Sequence, residues 1–358
     1  MSLRHALPRA PAIARILWRL GRGRPTFASL NLLNRCNQAC PMCAVRAGPD
    51  VRLRLDEVER IAGALRRGGI RVVEVSGGEP FLHPELPGIL RHLDRAGLLF
   101  TFNTNATAIS DEGLAALARA RGLLQVAVSL DSLDRARYHH LRGADLLPRA
   151  LAGLERLRAA RLPGTLKLNV ALSRHNHGEL AALLAFARER GLFLSVFPVS
   201  QGPGAHRSDG GGFDASDAER RALAESFDDL ARRRRRGEPL WEASGFYRAA
   251  ARHLRGEPLP PCGAGRIFLD VRADGSVAPC IDLPAVTTAA ALASGPGWER
   301  LAAGAAASAA CQATTPCCYT CTIGLAVTAR APLRFALESA RVLLAAARRP
   351  APTRGSPA

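Results

Sequence analysis

A chain of 358 residues with nine cysteines is too large for a disulfide-stapled mini-scaffold and long enough to bury a core of its own. Its formal net charge is +18, yet Lys167 is the single lysine among 49 basic residues, so the excess is almost entirely arginine. These arginines are spread along helical patterns rather than interleaved with aromatics, which reads as compositional bias and argues against nucleic acid as a partner.

The first segment, 1–27, is basic and amphipathic. Within 9–20, Arg15 and Arg19 interrupt the apolar stretch, so the segment makes a poor signal peptide but suits peripheral contact with a membrane surface. No run of 18 apolar residues occurs, and clustered cysteines without an export signal point to a reducing, cytoplasmic setting.

Six short apolar, β-branched runs follow at 29–33, 70–76, 99–103, 124–130, 166–171 and 193–198, each reading as a buried parallel strand. Between them lie helical patterns at 56–67, 84–96, 110–120, 146–160 and 178–190, with Ser110, Asp111 and Glu112 forming a helix start. Strict βα alternation predicts an α/β fold with function at the carboxyl ends of the strands. Beyond it, 201–216 reads as a glycine-rich loop and the five arginines at 232–236 as a solvated helix end. The stretch 262–321 is cysteine-bearing and reads as loop-rich, with a hairpin turn at Asp274-Gly275. A final helix is predicted over 332–349 and a frayed tail over 350–358.

The chemistry concentrates in Cys36-Asn37-Gln38-Ala39-Cys40-Pro41-Met42-Cys43, directly after the first strand. Clustered thiolates suit zinc or an iron-sulfur centre. A structural zinc wants four closed ligands. Three cysteines instead leave one iron of a four-iron cluster without a protein ligand.

The segment resembles the signature of the radical S-adenosylmethionine (SAM) superfamily. Ser76-Gly77-Gly78-Glu79-Pro80, closing the second strand, is similar to that family's GGEP motif, in which the backbone and the glutamate hold the amino group of SAM. Asn103-Thr104-Asn105 resembles the TNG that ends the third strand, with Ala106 in place of glycine. Ser129-Leu130-Asp131 is similar to the polar motif ending the fourth strand near the SAM ribose and carboxylate. The resemblance makes Arg142 a partner for the SAM carboxylate, and Asn169 and the Pro198-Val199 end of the sixth strand weaker contacts to sugar and adenine. Met42 stands where the family usually has an aromatic residue, and its sulfur can cover an adenine face. His139, His140, His175 and His177 receive no role. The implied fold is a partial (β/α)6 TIM-type barrel with a small cysteine-rich C-terminal extension.

Six further cysteines fall within 262–321, more than core packing needs. Cys262, Cys280, Cys318 and Cys321 resemble the ligand set of a Twitch extension. A longer register uses Cys311 and Cys317 and resembles the SPASM pattern, but Ser308 replaces one of its cysteines and none follows Cys321. Spacing alone leaves zinc open; the resemblance favours one auxiliary 4Fe-4S cluster.

The expected organisation is an N-terminal segment at 1–27, the barrel core at 28–200, a loop and helical linker at 201–255, the auxiliary-cluster region at 256–325, and a C-terminal helix and tail at 326–358. The resemblance implies an enzyme that accepts an electron from a donor such as flavodoxin or ferredoxin. It would cleave SAM at a 4Fe-4S cluster on Cys36, Cys40 and Cys43 to a 5'-deoxyadenosyl radical and take hydrogen from a substrate. That substrate is a peptide, as for a maturase, or a small molecule, as for a dehydrogenase. The alternative from another class is a non-catalytic iron-sulfur electron carrier or redox sensor.

Overall fold

A computed structural model describes residues 10–201, 207–208, 213–314 and 317–347. Helix α1 (Ala10–Gly21) leads into strand β1 (Phe27–Asn31). Five βα steps follow: α2 (Leu55–Arg67) and β2 (Val72–Ser76), then α3 (Leu86–Arg95) and β3 (Leu99–Thr104), then α4 (Asp111–Arg119) and β4 (Leu123–Ser129). Two helices, α5 (Arg135–Arg142) and α6 (Leu147–Ala159), precede β5 (Thr165–Leu172), and α7 (Leu180–Glu189) precedes β6 (Phe193–Pro198).

Strands β1 to β6 pair in chain order and all in parallel, which is the six-stranded, helix-covered arrangement of a partial TIM-type barrel. One face of the sheet is apolar. Val73, Val75, Phe100, Phe102, Val126, Val128, Leu168 and Val196 are fully buried beneath helix residues such as Ile61, Leu65, Ile89, Leu93, Leu154 and Leu183. Burial of each such side chain contributes about 1.5–3 kcal/mol. The opposite face is polar: Ser29, Glu74, Thr101, Gln125 and Thr165 are register neighbours across β1 to β5.

The remaining chain extends the same sheet. After the two-residue ladder of β7 (Ser200–Gln201) and β8 (Arg207–Ser208) come α8 (Asp217–Arg235) and α9 (Ser244–Leu254), packed on each other. Strand β9 (Phe268–Val271) then adds in parallel to the free side of β1. It turns through Asp274-Gly275 into the antiparallel β10 (Ser276–Ala278), and β11 (Thr287–Thr288) completes the edge. Helices α10 (Ala289–Ser294), α11 (Gly297–Thr314), α12 (Leu325–Arg330) and α13 (Pro332–Ala347) close the described chain.

Three expectations need correction. Helix α5 lies where no helix was expected; Asp134 caps it by accepting from the Arg137 amide at 2.8 Å. Helix α11 crosses the supposedly loop-rich stretch, because its alanine run has the highest helix propensity. Finally, the arginine run is not all solvated: Arg234 is 2% exposed and faces Glu338. Residues 202–206 and 209–212 of the expected glycine-rich loop, and the expected tail at 350–358, lie outside the described residues.

Candidate active site

The carboxyl ends of β1 and β2 are tied together by backbone. Gly78 donates to the Leu33 carbonyl at 2.7 Å and Glu79 to the Arg35 carbonyl at 2.9 Å, so the turn after β2 is stitched to the residues just ahead of Cys36. Only glycine permits that approach. A Cβ on Gly78 would lie 2.0 Å from the Arg35 oxygen, and one on Gly77, whose φ is +121°, 2.4 Å from the Leu33 oxygen.

Glu79 is 1% exposed, and its carboxylate is fully engaged within the protein. Oε1 accepts from the Phe81 amide at 3.1 Å and the Thr104 hydroxyl at 2.8 Å, and Oε2 from the Asn105 amide at 2.7 Å. Glu79, expected to hold the amino group of SAM, also ties the end of β2 to the end of β3. Burial outweighs these hydrogen bonds and pushes its pKa up to about 7. Asn105 continues the chain of contacts, donating to Asn37 Oδ1 at 2.8 Å and to Cys36 Sγ at 3.9 Å.

Cys36, Cys40 and Cys43 share one half-buried loop. Burial, and then the charges of Glu79, Cys40 and Cys43, push the Cys36 thiol up to about 11. Metal binding there must therefore displace protons. Gln38, inside the loop, is 3% exposed and donates to the Tyr138 hydroxyl of α5 at 2.7 Å. Neither Gln38 nor Tyr138 carries a spacing signal, and sequence reasoning missed both.

Arg142 and Asp131, each expected to meet SAM, are paired with each other. Their ion pair is 2.8 Å long and Asp131 is fully buried. Burial alone would lower Arg142, but Asp131 and the Cys40 thiol together hold it well above the usual arginine range. A fixed cation thus stands beside Cys40. Met42 is buried against Leu141 and Phe213 with Cys40 at its edge, covering the loop with apolar surface. Ser129 and Asn169 face each other across β4 and β5, and the Asn169 Oδ1 is buried with no hydrogen-bond partner among the described residues. An acceptor left open at the strand ends fits a ligand donor.

A match to the radical SAM superfamily spans residues 30–187, from β1 through α7. The chain carries a radical SAM domain. Members of this family use a 4Fe-4S cluster with SAM, and the loop's three thiolates and open polar acceptor suit both. The GTP 3',8-cyclase of Ectopseudomonas mendocina is 34% identical over 179 residues, 48% of this chain and 53% of that protein. The enzyme of the same name from Acidothermus cellulolyticus is 33% identical over 208 residues, 52% and 56% of the two chains. The chain therefore spans about half the length of these curated relatives. SuiB of Streptococcus suis bound to S-adenosylmethionine superposes with a TM-score of 0.62 at 18% identity, covering 78% of this chain and 68% of that one. An anSMEcpe complex with AdoMet and a peptide gives 0.61 at 13%, covering 90% and 99%. Both likenesses show the fold alone.

The C-terminal cysteines sort themselves by environment. Cys321 is held up by burial and then by Cys280, Glu74, Cys317 and Cys262, and Cys280 by burial and then by Asp282, Cys317 and Cys262. With Cys262 neighbouring Cys311 and Cys318 neighbouring Cys317, all six C-terminal thiols belong to one connected neighbourhood. Cys318, one of the expected ligands, is fully buried beside Cys317. Cys311 rides on α11 next to Cys262. The same helix braces that loop through Gln312, which accepts from the Cys262 amide at 2.8 Å and donates to the Pro260 carbonyl at 2.7 Å. Ser308, in the position of an expected cysteine, donates to the Ala264 carbonyl at 3.2 Å. No three His, Cys, Asp or Glu side chains among the described residues converge on a single-ion site. A four-iron cluster binds each thiolate at a different iron and requires a wider spacing.

The polar face of the sheet supplies a charged interior that the sequence did not disclose. Lys167 on β5 is 7% exposed, 3.9 Å from Glu242 and 5.4 Å from the centre of the Trp241 ring. Burial lowers its pKa, and Glu242 and then Glu74 resist that. In a flat sheet β2 and β5 would be about 14 Å apart, so the influence of Glu74 on Lys167 reflects curvature around an interior. Asp270 on β9 faces the same space, accepting from Ser29 and, at 2.8 Å, from Asn31.

Proposed function

We propose that this protein is a radical SAM enzyme that removes a hydrogen atom from a polar substrate held inside the barrel. The observation that carries the reading is the stitching of the Cys36–Cys43 loop to the Gly77-Gly78-Glu79 turn at the strand ends of a radical SAM domain. Cys36, Cys40 and Cys43 would hold the 4Fe-4S cluster, and with an electron from a flavodoxin- or ferredoxin-type donor the cluster and SAM supply a 5'-deoxyadenosyl radical. The chain's own residues set the stage. Glu79 and Asn105 hold the loop to the sheet, Arg142 places positive charge beside Cys40, Met42 shields it from water, and Asn169 with Ser129 offers polar contacts for SAM.

Lys167, Glu242 and Glu74 suit a substrate rich in hydrogen-bonding groups, whether a small molecule or a polar peptide side chain. Cys262, Cys280, Cys317 and Cys321 would hold an auxiliary 4Fe-4S cluster close to Glu74, placed to take an electron from the substrate or to anchor it. The test is anaerobic reconstitution followed by SAM and dithionite. 5'-Deoxyadenosine is expected from the wild type and not from Cys40→Ala. Clusters that cycle redox state while SAM stays intact would instead establish an electron carrier.

A further inference from the structure

Helix α13 is docked with its apolar stripe outward. Leu333, Leu337 and Leu344 are 79%, 62% and 57% exposed, and they are three of the four large apolar side chains that stand exposed among the described residues. At about 100° per residue they fall within roughly 40° of arc, so they form one stripe along the helix. The inward side carries a carboxylate: Glu338 is 3% exposed and Val342 1%.

A buried polar lock fixes this rotation. Glu338 accepts from the Ser244 amide at 2.9 Å and the Ser244 hydroxyl at 2.5 Å, at the amino end of α9. Arg234 of α8 stands 3.9 Å from Glu338 and donates to Ser339 at 2.8 Å. Rolling the leucines inward would expel Glu338 and leave Arg234 buried without its counter-charge. The outward stripe is thus built in.

The flank of the stripe is basic. Arg334 and Arg341 are exposed on the same helix, one turn apart from the leucines. Arg248 of α9 lies near enough to both Arg235 of α8 and Arg334 for their charges to repel, and none of the four makes a salt bridge among the described residues. An exposed leucine stripe beside arginines that form no salt bridge among the described residues, on a chain of net charge +18, complements an anionic bilayer rather than another copy of itself.

We propose that α13 is a membrane-surface helix, its three leucines entering the acyl boundary of an anionic bilayer while Arg235, Arg248, Arg334 and Arg341 meet the headgroups. This attachment is independent of the reaction inside the barrel. Trp18, 52% exposed on α1 beside Arg22 and Arg24, offers a second interfacial side chain. Helix α1 packs against α12, which leads directly into α13.

The test is co-sedimentation of the reconstituted full chain with vesicles of phosphatidylcholine alone or with phosphatidylglycerol added. Pelleting is expected with the anionic vesicles, and Leu337→Asn/Leu344→Asn should cut the bound fraction about tenfold without moving the melting temperature. The same variant should keep wild-type 5'-deoxyadenosine formation. Two outcomes would overturn the proposal: equal pelleting of wild type and variant, which means charge alone attracts the protein, or no pelleting by either. A wild type that is dimeric by light scattering, a monomeric variant and no vesicle binding would assign the stripe to a second copy instead.

Discussion

Cys317 and Cys318 are adjacent, and Cys317 neighbours Cys280 and Cys321 while the Cys318 side chain is wholly buried. Spacing could not choose between them, because consecutive residues in a non-repeating turn carry no periodicity to say which points inward. In a background lacking Cys36, Cys40 and Cys43, Cys317→Ala should drop iron from about four per chain to near none. Cys318→Ala should retain the iron and cost about 1 kcal/mol in core packing, seen as a lower melting temperature. Glu79 supports a pH prediction. Its folded-state pKa of about 7 exceeds the ordinary 4.5, so the folded chain holds that proton more tightly. The stabilisation is full below pH 4.5 and is lost as pH rises to about 7. Melting of the cluster-free protein should therefore fall more steeply across this range in wild type than in Glu79→Gln, whatever the offset between them. The CxxxCxxC loop and the GGEP turn were legible because close backbone approach and shared ligation demand fixed residues at fixed spacing. The Arg142–Asp131 pairing was not, since each residue alone fitted a ligand contact equally well.

Among the elements, the six barrel strands were legible because runs of valine, leucine and phenylalanine between turn residues are what a helix-covered sheet requires. Helix α5 was hidden by its polar sequence, Arg135 to Arg142, with only Tyr138 and Leu141 buried. Helix α11 was hidden because an alanine-rich run has little amphipathic contrast. The contact of α6 with the end of β3 is equally invisible in sequence but has a sharp requirement. A Cβ on Gly153 would sit 1.9 Å from the Ala106 carbonyl oxygen. Gly153→Ala should force the helix off the strand end and cost about 1–3 kcal/mol, lowering the melting temperature. Gly178→Ala is the control: no atom lies within 4 Å of the added carbon, and melting should shift little.

For the molecule as a whole, the charge of +18 acts as self-repulsion in the folded state. Raising salt from about 0.01 M to 0.15 M shortens the screening length from about 30 Å to 8 Å and should raise the melting temperature. A fall or no change would mean that the surface ion pairs, which salt weakens, outweigh the repulsion. The polar interior around Lys167 emerged only from the curved arrangement, since its contributors are scattered over β2, β5, β9 and the residues before α9. The pairing of β9 with β1 also has a consequence for synthesis. Strand β1 is flanked on both sides only after Phe268–Val271 has joined it. When β6 leaves the ribosome, roughly seventy residues remain to be made before β9, about 4–15 s of translation. Throughout that interval the nascent barrel presents one unpaired edge of β1, and with it the cysteine loop that β1 leads into. A chain terminated after β6 should accordingly collect in inclusion bodies and lose the ability to load iron, although every residue of its first cluster is present.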